Sequence, residues 1–476
     1  MKRHPAAAAA ALILGMSCAQ AGTSPILETA AKSLGVRSIQ TLEYQAHGRY
    51  FQFTQAPAPD LPWPPFDVDD YVATLDYARA AVHAKYHRVQ VQEPGRLRPH
   101  AEQTMDQYAL NGMSWNLTPA PSAIATNLAE RNAELWASPQ GFVKGALAHK
   151  ARVWKDKEGW WAKFRIGTQE FSGSFSDAGD VRAVFTTIDS PVLGDTTIEF
   201  AYSNYQDFDG VRFPARIERR VAGQRWYDLT VTAARVNTAK PFDVPAEIAA
   251  NPVPSVSGIE VTELAPGLLV FGGGTHNSVI VEQGAGIVVI EAPLNEERSE
   301  AVIGRVRALF PGKPISAVVN THAHFDHAGG LRTYVDEGIP VVTLERNAAY
   351  YRKVWAAPHT LNPDRLAKSG KQPVFRTFTD QLRLDDAVHP LELYAIQGSG
   401  HNDCIAMVYL PRDRVLVEAD VWTPTPPGAP PPRAVNPLWE NLYENVQRLK
   451  LDVQRVAPLH GAVQDFATLR AAVAAN

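Results

Sequence analysis

The stretch His322-Ala323-His324-Phe325-Asp326-His327 places three imidazoles and one carboxylate within six residues. It follows an apolar run at residues 315–321 and precedes Ala328-Gly329-Gly330-Leu331. This order predicts a buried strand, a short loop and the start of a helix. Neutral imidazole and carboxylate are ligands that suit zinc and similar divalent ions. The stretch therefore indicates a metal site rather than an ordinary solvated loop.

Three further ligand-type residues also stand directly after apolar, strand-like runs. Residues 391–396 lead through Gln397-Gly398-Ser399-Gly400 to His401, residues 414–419 lead to Asp420, and residues 454–459 lead to His460. Loops at one end of a sheet are where a rigid scaffold can bring such groups together. Together with residues 322–327 they supply five imidazoles and two carboxylates. The sequence therefore predicts a metal site built from four segments of the chain.

These motifs, taken in order, resemble those of metallo-β-lactamase-fold hydrolases. The matching positions are His322-Xaa-His324-Xaa-Asp326-His327, Gly400-His401, Asp420 and His460-Gly461. The resemblance covers residues 257–476 and implies an αββα sandwich with the metal ions at its edge. The fold class expected for the whole chain is α+β, with this sandwich preceded by an antiparallel β-rich domain.

The resemblance also implies a ligand set and a cofactor. By that pattern one Zn²⁺ is bound by His322, His324 and His401, a second Zn²⁺ is bound by Asp326, His327 and His460, and Asp420 bridges the two ions. The expected reaction uses a metal-bound hydroxide, and the expected catalytic residue is Asp326, which would orient the nucleophile and carry a proton to the leaving group.

Two positions select among members of that family, and a third departs from its pattern. Oxygen-reducing di-iron members usually carry Glu at the position of His324, so His324 favours zinc hydrolysis. True β-lactamases usually carry Cys or Ser at the position of Asp420, so Asp420 resembles glyoxalase II, lactonases, alkylsulfatases and phosphodiesterases instead. The residue after the strand at residues 287–290 is usually Asp in the family and is Glu291 here, a departure near the site that leaves the ligand set intact.

The expected function is an exported binuclear zinc hydrolase that cleaves an ester, lactone, thioester or related bond of a small molecule. Three alternatives stay open: a β-lactamase, an iron-dependent sulfur dioxygenase, and a periplasmic lipid-binding carrier in which the metal domain is secondary. Aromatic residues and a proline-rich loop near the motifs suggest either a substrate wall or simple packing. They are Tyr350, Tyr351, Trp355, His359, residues 422–432, Trp439 and Tyr443.

The first residues have the pattern of a secretory signal peptide. Lys2 and Arg3 precede an apolar run at residues 6–16, and Ala19-Gln20-Ala21 fits a cleavage site. We therefore expect a periplasmic or secreted protein. Lipidation at Cys18 is disfavoured because Gly15 stands where a lipobox usually has Leu.

The composition of the chain excludes some classes of partner and of cross-link. Loss of Lys2 and Arg3 would take two positive charges from a net charge of −4 and leave −6, which argues against nucleic acid. Cys404 would be the one cysteine left, so no disulfide can form within the mature chain. No integral membrane segment is expected, and the oligomeric state, including a homodimer, stays open.

The chain is expected to divide into a signal peptide (1–21), an antiparallel β-rich domain (22–245), a linker (246–256) and the metal-binding domain (257–476). Within the second part, strand-like runs recur from residue 151 onward and predict a meander. We also expect a hairpin around Gly48 and helices at residues 67–85 and 138–149. Residues 202–214 resemble a stretch of periplasmic lipoprotein carriers, from which a fold suggestion alone is taken.

Overall fold

The computed structural model describes residues 24–99, 101–118, 121–124, 128–250, 253, 255–425 and 436–474. The predicted signal peptide lies outside these ranges. Three β-sheets form the described structure: one 13-stranded sheet in the first half of the chain, then a seven-stranded and a six-stranded sheet in the second half. No helix in the described ranges has the length and apolar character needed to cross a membrane.

The 13-stranded sheet is antiparallel throughout, and nearly every strand pairs with its neighbour in sequence, as the predicted meander requires. Buried and exposed residues alternate along its strands, so one face is apolar and needs a cover. Its strands are β1 (Thr41–Phe51), β2 (Pro65–Asp76), β3 (Ala81–Gln90), β4 (Glu102–Leu110), β5 (Met113–Asn116), β6 (Ser122–Ala123), β7 (Arg152–Asp156), β8 (Gly159–Ile166), β9 (Gln169–Phe175), β10 (Val181–Ser190), β11 (Gly194–Phe208), β12 (Val211–Val221) and β13 (Gln224–Val236).

Three helices cover that apolar face: α1 (Pro25–Ser33), α2 (Leu128–Ala137) and α3 (Pro139–Ala148). Buried side chains of all three join the sheet in one core, among them Leu27, Leu135 and Phe142. The helix predicted at residues 138–149 is thus present, and Ser138 caps its first turn by accepting a hydrogen bond from the Gly141 backbone N–H. A short helix α4 (Ala246–Ala250) follows the sheet.

Two local predictions in this half are wrong. The helix expected at residues 67–85 is instead β2 and β3, because Tyr71, Ala73 and Leu75 are buried with a period of two. The Asp76 carboxylate accepts hydrogen bonds from the backbone of the following turn and reverses the chain. Gly48 does not turn a hairpin: it lies inside β1 beside a β-bulge, where a Cβ atom would collide with the Asp228 carbonyl.

The second half forms two facing sheets. The seven-stranded sheet contains β14 (Glu260–Ala265), β15 (Leu268–Gly272), β16 (Ser278–Gln283), β17 (Gly286–Ile290), β18 (Ile315–Val319), β19 (Val341–Leu344) and β20 (Phe375–Phe378). The six-stranded sheet contains β21 (Gln381–Leu384), β22 (Leu391–Ala395), β23 (Ala406–Leu410), β24 (Val415–Glu418), β25 (Arg455–Pro458) and β26 (Gln464–Asp465). Strands β17 to β20 are parallel, and so are β24 and β25.

Helices cover the outer face of each sheet. They are α5 (Glu296–Leu309), α6 (Phe325–Ala328), α7 (Leu331–Asp336), α8 (Glu345–Val354), α9 (Arg365–Ser369), α10 (Pro437–Arg448) and α11 (Phe466–Ala474). One apolar core joins the two sheets, a second joins the seven-stranded sheet to α5, α7 and α8, and a third joins the six-stranded sheet to α10 and α11. The predicted αββα sandwich, preceded by an antiparallel β-rich region, is confirmed.

Arg298 joins α5 to the edge of the seven-stranded sheet through hydrogen bonds. It is buried, and its guanidinium donates to the backbone carbonyls of Val256, Gly258, Phe271 and Gly272 at 2.7–3.2 Å. Hydrogen bonds to a charged donor are stronger than neutral ones, and carbonyls left unpaired away from water are costly. This side chain therefore holds the start of the sandwich together.

We expect Arg298→Met to lower the free energy of unfolding by about 3 kcal/mol, which corresponds to a fall of roughly 6–12 °C in Tm. Thermal unfolding followed by circular dichroism measures the shift. Arg305, on the exposed side of the same helix, provides the control. Arg305→Met should move Tm by less than about 2 °C, and an equal shift in both variants would contradict the role given to Arg298.

Candidate metal centre

The predicted ligands converge because the strands that carry them end at the same edge of the sandwich. The stretch at residues 322–327 follows β18, Asp420 and His460 follow the parallel strands β24 and β25, and His401 lies in the loop between β22 and β23. Neighbouring parallel strands present their carboxyl ends on one side, so side chains directly after them come together. The structure brings together all seven residues predicted from the sequence.

Four of these residues form a first cluster: His322, His324, His401 and Asp420. One nitrogen or oxygen atom from each lies within 4.8 Å of the others. The Asp420 Oδ2 atom is 3.3 Å from His322 Nε2 and 3.0 Å from His401 Nε2. His324 Nδ1 is 3.0 Å from His401 Nε2. These atoms surround a single point, as the ligands of one cation do.

The second cluster contains Asp326, His327, His460 and one residue that the sequence reading missed, His276. His276 Nε2 is 3.3 Å from Asp326 Oδ2, and His460 Nε2 is 3.2 Å from His327 Nε2. His276 comes soon after β15, beyond three glycines. The rule that found the other ligands, a ligand-type residue following an apolar strand, would have found it too.

Asp420 stands between the two clusters. While its Oδ2 atom faces His322 and His401, its Oδ1 atom is 2.8 Å from His460 Nε2. His327 Nε2 lies near both oxygens, 3.1 Å from Oδ2 and 3.2 Å from Oδ1. The Asp420 backbone has φ +62°, an unusual conformation for a residue other than glycine. Strained backbone of this kind is kept at functional sites where the surroundings fix it. The carboxylate is thus placed to serve both clusters at once.

The donor set fits metal ions. His322 Nε2 is fully buried, faces the first cluster and has no hydrogen-bond partner, which is costly for a polar atom. Imidazole nitrogens also face each other at 3.0 and 3.2 Å. Ligands bonded to zinc at 2.0–2.1 Å in a tetrahedron lie about 3.3 Å apart, so these spacings suit a shared cation. Burial lowers the pKa of His322 to about 4 and that of His324 well below its usual range, which keeps both imidazoles neutral.

Hydrogen bonds on the far side of each ring fix the tautomers. His460 Nδ1 donates to the Thr275 carbonyl at 2.9 Å, and His322 Nδ1 donates to Thr321 Oγ1 at 3.0 Å. In His324 the roles of the two ring nitrogens are exchanged. Its Nε2 atom donates to the Ala56 carbonyl at 2.9 Å, and its Nδ1 atom faces the cluster. With one nitrogen protonated outward, the other keeps its lone pair for a metal.

Glu291, the departure from the family pattern, is one of these orienting groups. It is fully buried and has φ +78°. Its carboxylate accepts hydrogen bonds from Thr321 Oγ1 at 2.6 Å, Asn320 Nδ2 at 2.9 Å and His327 Nδ1 at 3.2 Å. The extra methylene of Glu therefore still allows the carboxylate to hold the loop and one ligand.

The first half of the chain also contacts the centre. Gln55 Nε2 donates to Asp326 Oδ1 at 3.1 Å, so the carboxylate oxygen turned away from the second cluster is held by an amide. Ala56 accepts the hydrogen bond from His324, and Arg98 Nη2 donates to the His401 carbonyl at 3.3 Å. These contacts span more than two hundred residues of sequence and carry no motif, so the sequence could not reveal them.

The aromatic residues suggested as a substrate wall have mostly structural roles. Tyr350 lines a cavity beside His324. Tyr351 is buried and donates to Asn320 Oδ1 at 2.7 Å, and Trp355 stacks on Tyr351. The remaining suggestions are packing residues: Trp422 and Trp439 are buried in a core, Tyr443 stacks on Phe466 and His359 is buried beside Gly194. Residues 426–435 of the proline-rich loop lie outside the described ranges.

Residues 271–460, which carry every member of both clusters, match the family model of the metallo-beta-lactamase superfamily. The chain contains a metallo-beta-lactamase superfamily domain. This domain coincides with the αββα sandwich, and the resemblance stated for it is confirmed. The resemblance of residues 202–214 to lipoprotein carriers stays a prediction.

Several known proteins are similar to parts of the chain. A linear primary-alkylsulfatase of a Pseudomonas species is 39% identical over 61 residues, which is 13% of this chain and 9% of that protein. A type 2 metallo-beta-lactamase of Elizabethkingia meningoseptica is 26% identical over 141 residues, 30% of this chain and 50% of that protein. The solved metallo-beta-lactamase from Pontibacter korlensis aligns over 46% of this chain and 98% of its own, with 21% identity and a TM-score of 0.35. The chain thus spans half or less of the length of the alkylsulfatase and of the type 2 metallo-beta-lactamase.

We expect the superfamily domain to bind two zinc ions per chain and each cluster to account for one. His322→Ala and His276→Ala should each reduce the zinc that survives dialysis to about one ion per chain, because each removes a nitrogen from a different cluster. Emission spectrometry on the dialysed protein measures this. His47→Ala, at an exposed position of β1, is the control and should keep two ions. Retention of two ions by the His276 variant would exclude that residue as a ligand.

We expect Gln55→Ala to weaken zinc binding at the second cluster about tenfold, since groups that orient a ligand typically contribute this much. Competition with a chromophoric chelator gives the affinity of the more weakly bound ion. Gln45→Ala, at an exposed position of β1, should leave that affinity unchanged. Equal zinc affinities in both variants would show that the hydrogen bond from Gln55 to Asp326 does not contribute to zinc binding.

Proposed function

We propose that the chain is a binuclear zinc hydrolase that cleaves an ester, lactone, thioester or related bond in a small molecule. The observation that carries this proposal is the pair of histidine-rich clusters with the Asp420 carboxylate between them. Imidazole and carboxylate donors favour zinc. Asp420 stands where β-lactamases usually carry Cys or Ser, which favours hydrolysis of bonds other than β-lactams. His324 in place of Glu supports zinc over a redox-active iron pair.

Bound zinc would polarise the scissile carbonyl, phosphoryl or sulfuryl oxygen and lower the pKa of water to near neutrality. The protein residues set where this chemistry takes place. His322 and His327 are fully buried, whereas the side chains of Asp326, His401 and His460 are 21%, 19% and 23% exposed. The centre is therefore open to solvent at these three residues.

Asp326 is proposed as the catalytic residue. Burial alone would raise the pKa of its carboxyl, but the neighbouring His327 and the hydrogen bond with His276 lower it well below its usual range, so it stays ionised. Its Oδ1 atom is fixed by Gln55 and its Oδ2 atom by His276. A carboxylate held at both oxygens and open to solvent on one side can orient a water molecule and pass a proton to the leaving group.

Sulfate ester hydrolysis is a second candidate, favoured by the similarity to alkylsulfatases from Pseudomonas. The similarity to a type 2 metallo-beta-lactamase keeps β-lactam hydrolysis in the comparison, although Asp420 weighs against it. The carrier alternative is disfavoured because the covered face of the 13-stranded sheet is filled by buried side chains, including the stacked Tyr44 and Tyr71. Iron-dependent sulfur oxidation would require iron in the purified protein.

We also propose the domain division at residues 22–245, 246–256 and 257–476 and the removal of residues 1–21 on export. The separate sheets on either side of the linker support the division. The signal-peptide pattern of the sequence supports export.

A substrate panel combined with metal analysis tests the function. We expect zinc-loaded protein to hydrolyse a simple ester, a lactone or a thioester faster than β-lactams and phosphodiesters, with a sulfate ester marking the second candidate. Asp420→Ala should lower kcat/KM at least about 100-fold, because it removes a group shared by both clusters. Asp385→Ala, at an exposed carboxylate outside the site, should retain full activity.

The other outcomes of the panel are equally clear. Preferred hydrolysis of β-lactams would replace the proposal with a β-lactamase. Bound iron with oxidation of a sulfur substrate would replace it with a dioxygenase. Zinc binding without turnover of any bond, together with a co-purifying lipid, would favour the carrier.

A further inference from the structure

A cavity of about 610 Å³ lies between the two halves of the chain and adjoins the metal centre at His324. The first half supplies one wall from residues 54–63 and from the loops at Leu193 and residues 222–224. Helix α8 supplies the opposite wall. This volume falls within the range of small-molecule binding sites in proteins.

One end of the cavity lies beside the first metal cluster. His324, whose Nδ1 atom belongs to the first cluster, lines the cavity together with Asn402. Asn402 Nδ2 donates to the same Ala56 carbonyl that accepts the hydrogen bond from His324. This space is therefore the nearest apolar volume along the first half of the chain for the remainder of a molecule whose reactive bond lies at the ligands.

The cavity follows one face of α8. Arg346, Tyr350 and Val354 are spaced by four residues, so their side chains lie in one row. This row spans about 12 Å at 1.5 Å per residue. Beyond the helix, the backbone N–H of Asp195 donates to the Pro358 carbonyl at 2.7 Å, which brings the loop that carries Leu193 against the far end. The cavity is thus long rather than compact.

The wall from the first half is held in place before any ligand arrives. The backbone N–H of Asp403 donates to the Pro57 carbonyl at 2.7 Å, and Asp60 forms an ion pair with Arg346. Trp63 packs edge-on against Phe53 with ring centroids 5.0 Å apart. A preformed wall of this kind lowers the ordering cost of binding.

The lining is mainly apolar. Leu61, Trp63, Leu193 and Val354 are joined by several alanines, whose small side chains leave the space open. Arg346 is compensated by Asp60, and Lys353, exposed to solvent, can line the edge with its aliphatic stem. An apolar, elongated cavity stabilises a hydrocarbon chain by about 0.8 kcal/mol for each buried methylene.

We propose that this cavity binds the hydrocarbon portion of the substrate, and that the substrate is an alkyl or aryl compound with its scissile group at one end. The inference rests on the proposed hydrolase and names its substrate class. Compact polar molecules would leave the wall contributed by the first half unused. The first half is thus a specificity element of the hydrolytic site.

The test uses ligands that cannot be hydrolysed. Binding of acetate, butanoate, hexanoate, octanoate and decanoate to the full-length, zinc-loaded protein is measured by titration calorimetry. The dissociation constant should fall about fourfold for each added methylene, the fold-change that corresponds to 0.8 kcal/mol, until the cavity is filled. A constant that does not change with chain length would overturn the proposal.

Two matched variants locate the effect. Ala349 lines the cavity, whereas Ala356 is exposed and outside its lining. Ala349→Trp should abolish the dependence on chain length and leave acetate binding unchanged. Ala356→Trp should behave as wild type. If both variants lost the dependence on chain length, or if neither did, the hydrocarbon chain would be bound at another surface of the protein.

The result is separable from that of the hydrolase proposal because binding needs no turnover. Chain-length-dependent binding without hydrolysis of any ester contradicts the function and leaves the cavity assignment standing. Hydrolysis with no dependence on chain length in either binding or kcat/KM contradicts the cavity assignment alone.

Discussion

The metal centre depends on one carboxylate placed among five imidazoles. Asp420 contacts histidines of both clusters, with Oδ2 facing His401 and Oδ1 facing His460. Burial alone would raise the pKa of its carboxyl, but the surrounding histidines, His327 first, lower it well below its usual range. Burial keeps His322 and His324 neutral, whereas at His327 the carboxylates of Asp420 and Asp326 outweigh burial and raise the pKa well above its usual range. The parallel ends of β24 and β25, the strained backbone at Asp420 and the outward hydrogen bonds of the rings all serve to hold this arrangement.

The sandwich half and its ligands could be predicted from the sequence because their signals are local. Each ligand follows a short apolar strand, and the order of the motifs is specific to one fold. His276 obeys the same rule, since it follows β15, but it belongs to none of the motifs on which the family resemblance rests. The alternation of Tyr71, Ala73 and Leu75 is equally local and indicates a strand, against the helix predicted at residues 67–85.

The contacts that the sequence could not reveal join residues that are far apart in the chain. Gln55 and Ala56 reach ligands 271 and 268 residues away, and neither residue type signals a metal site. The substrate wall suggested from aromatic residues was mostly core, because aromatic side chains near a motif are as often buried as exposed. The cavity arises only when the loops of one half meet a helix of the other, which no single stretch of sequence describes.

The contacts of residues 55–56 have a consequence for biosynthesis. The half that supplies them leaves the ribosome first, and the ligands they hold come later. A chain whose halves have folded but not yet docked would lack both the carbonyl for His324 and the amide for Asp326. The rings and carboxylate that they hold would then take their final orientation only when the two halves meet.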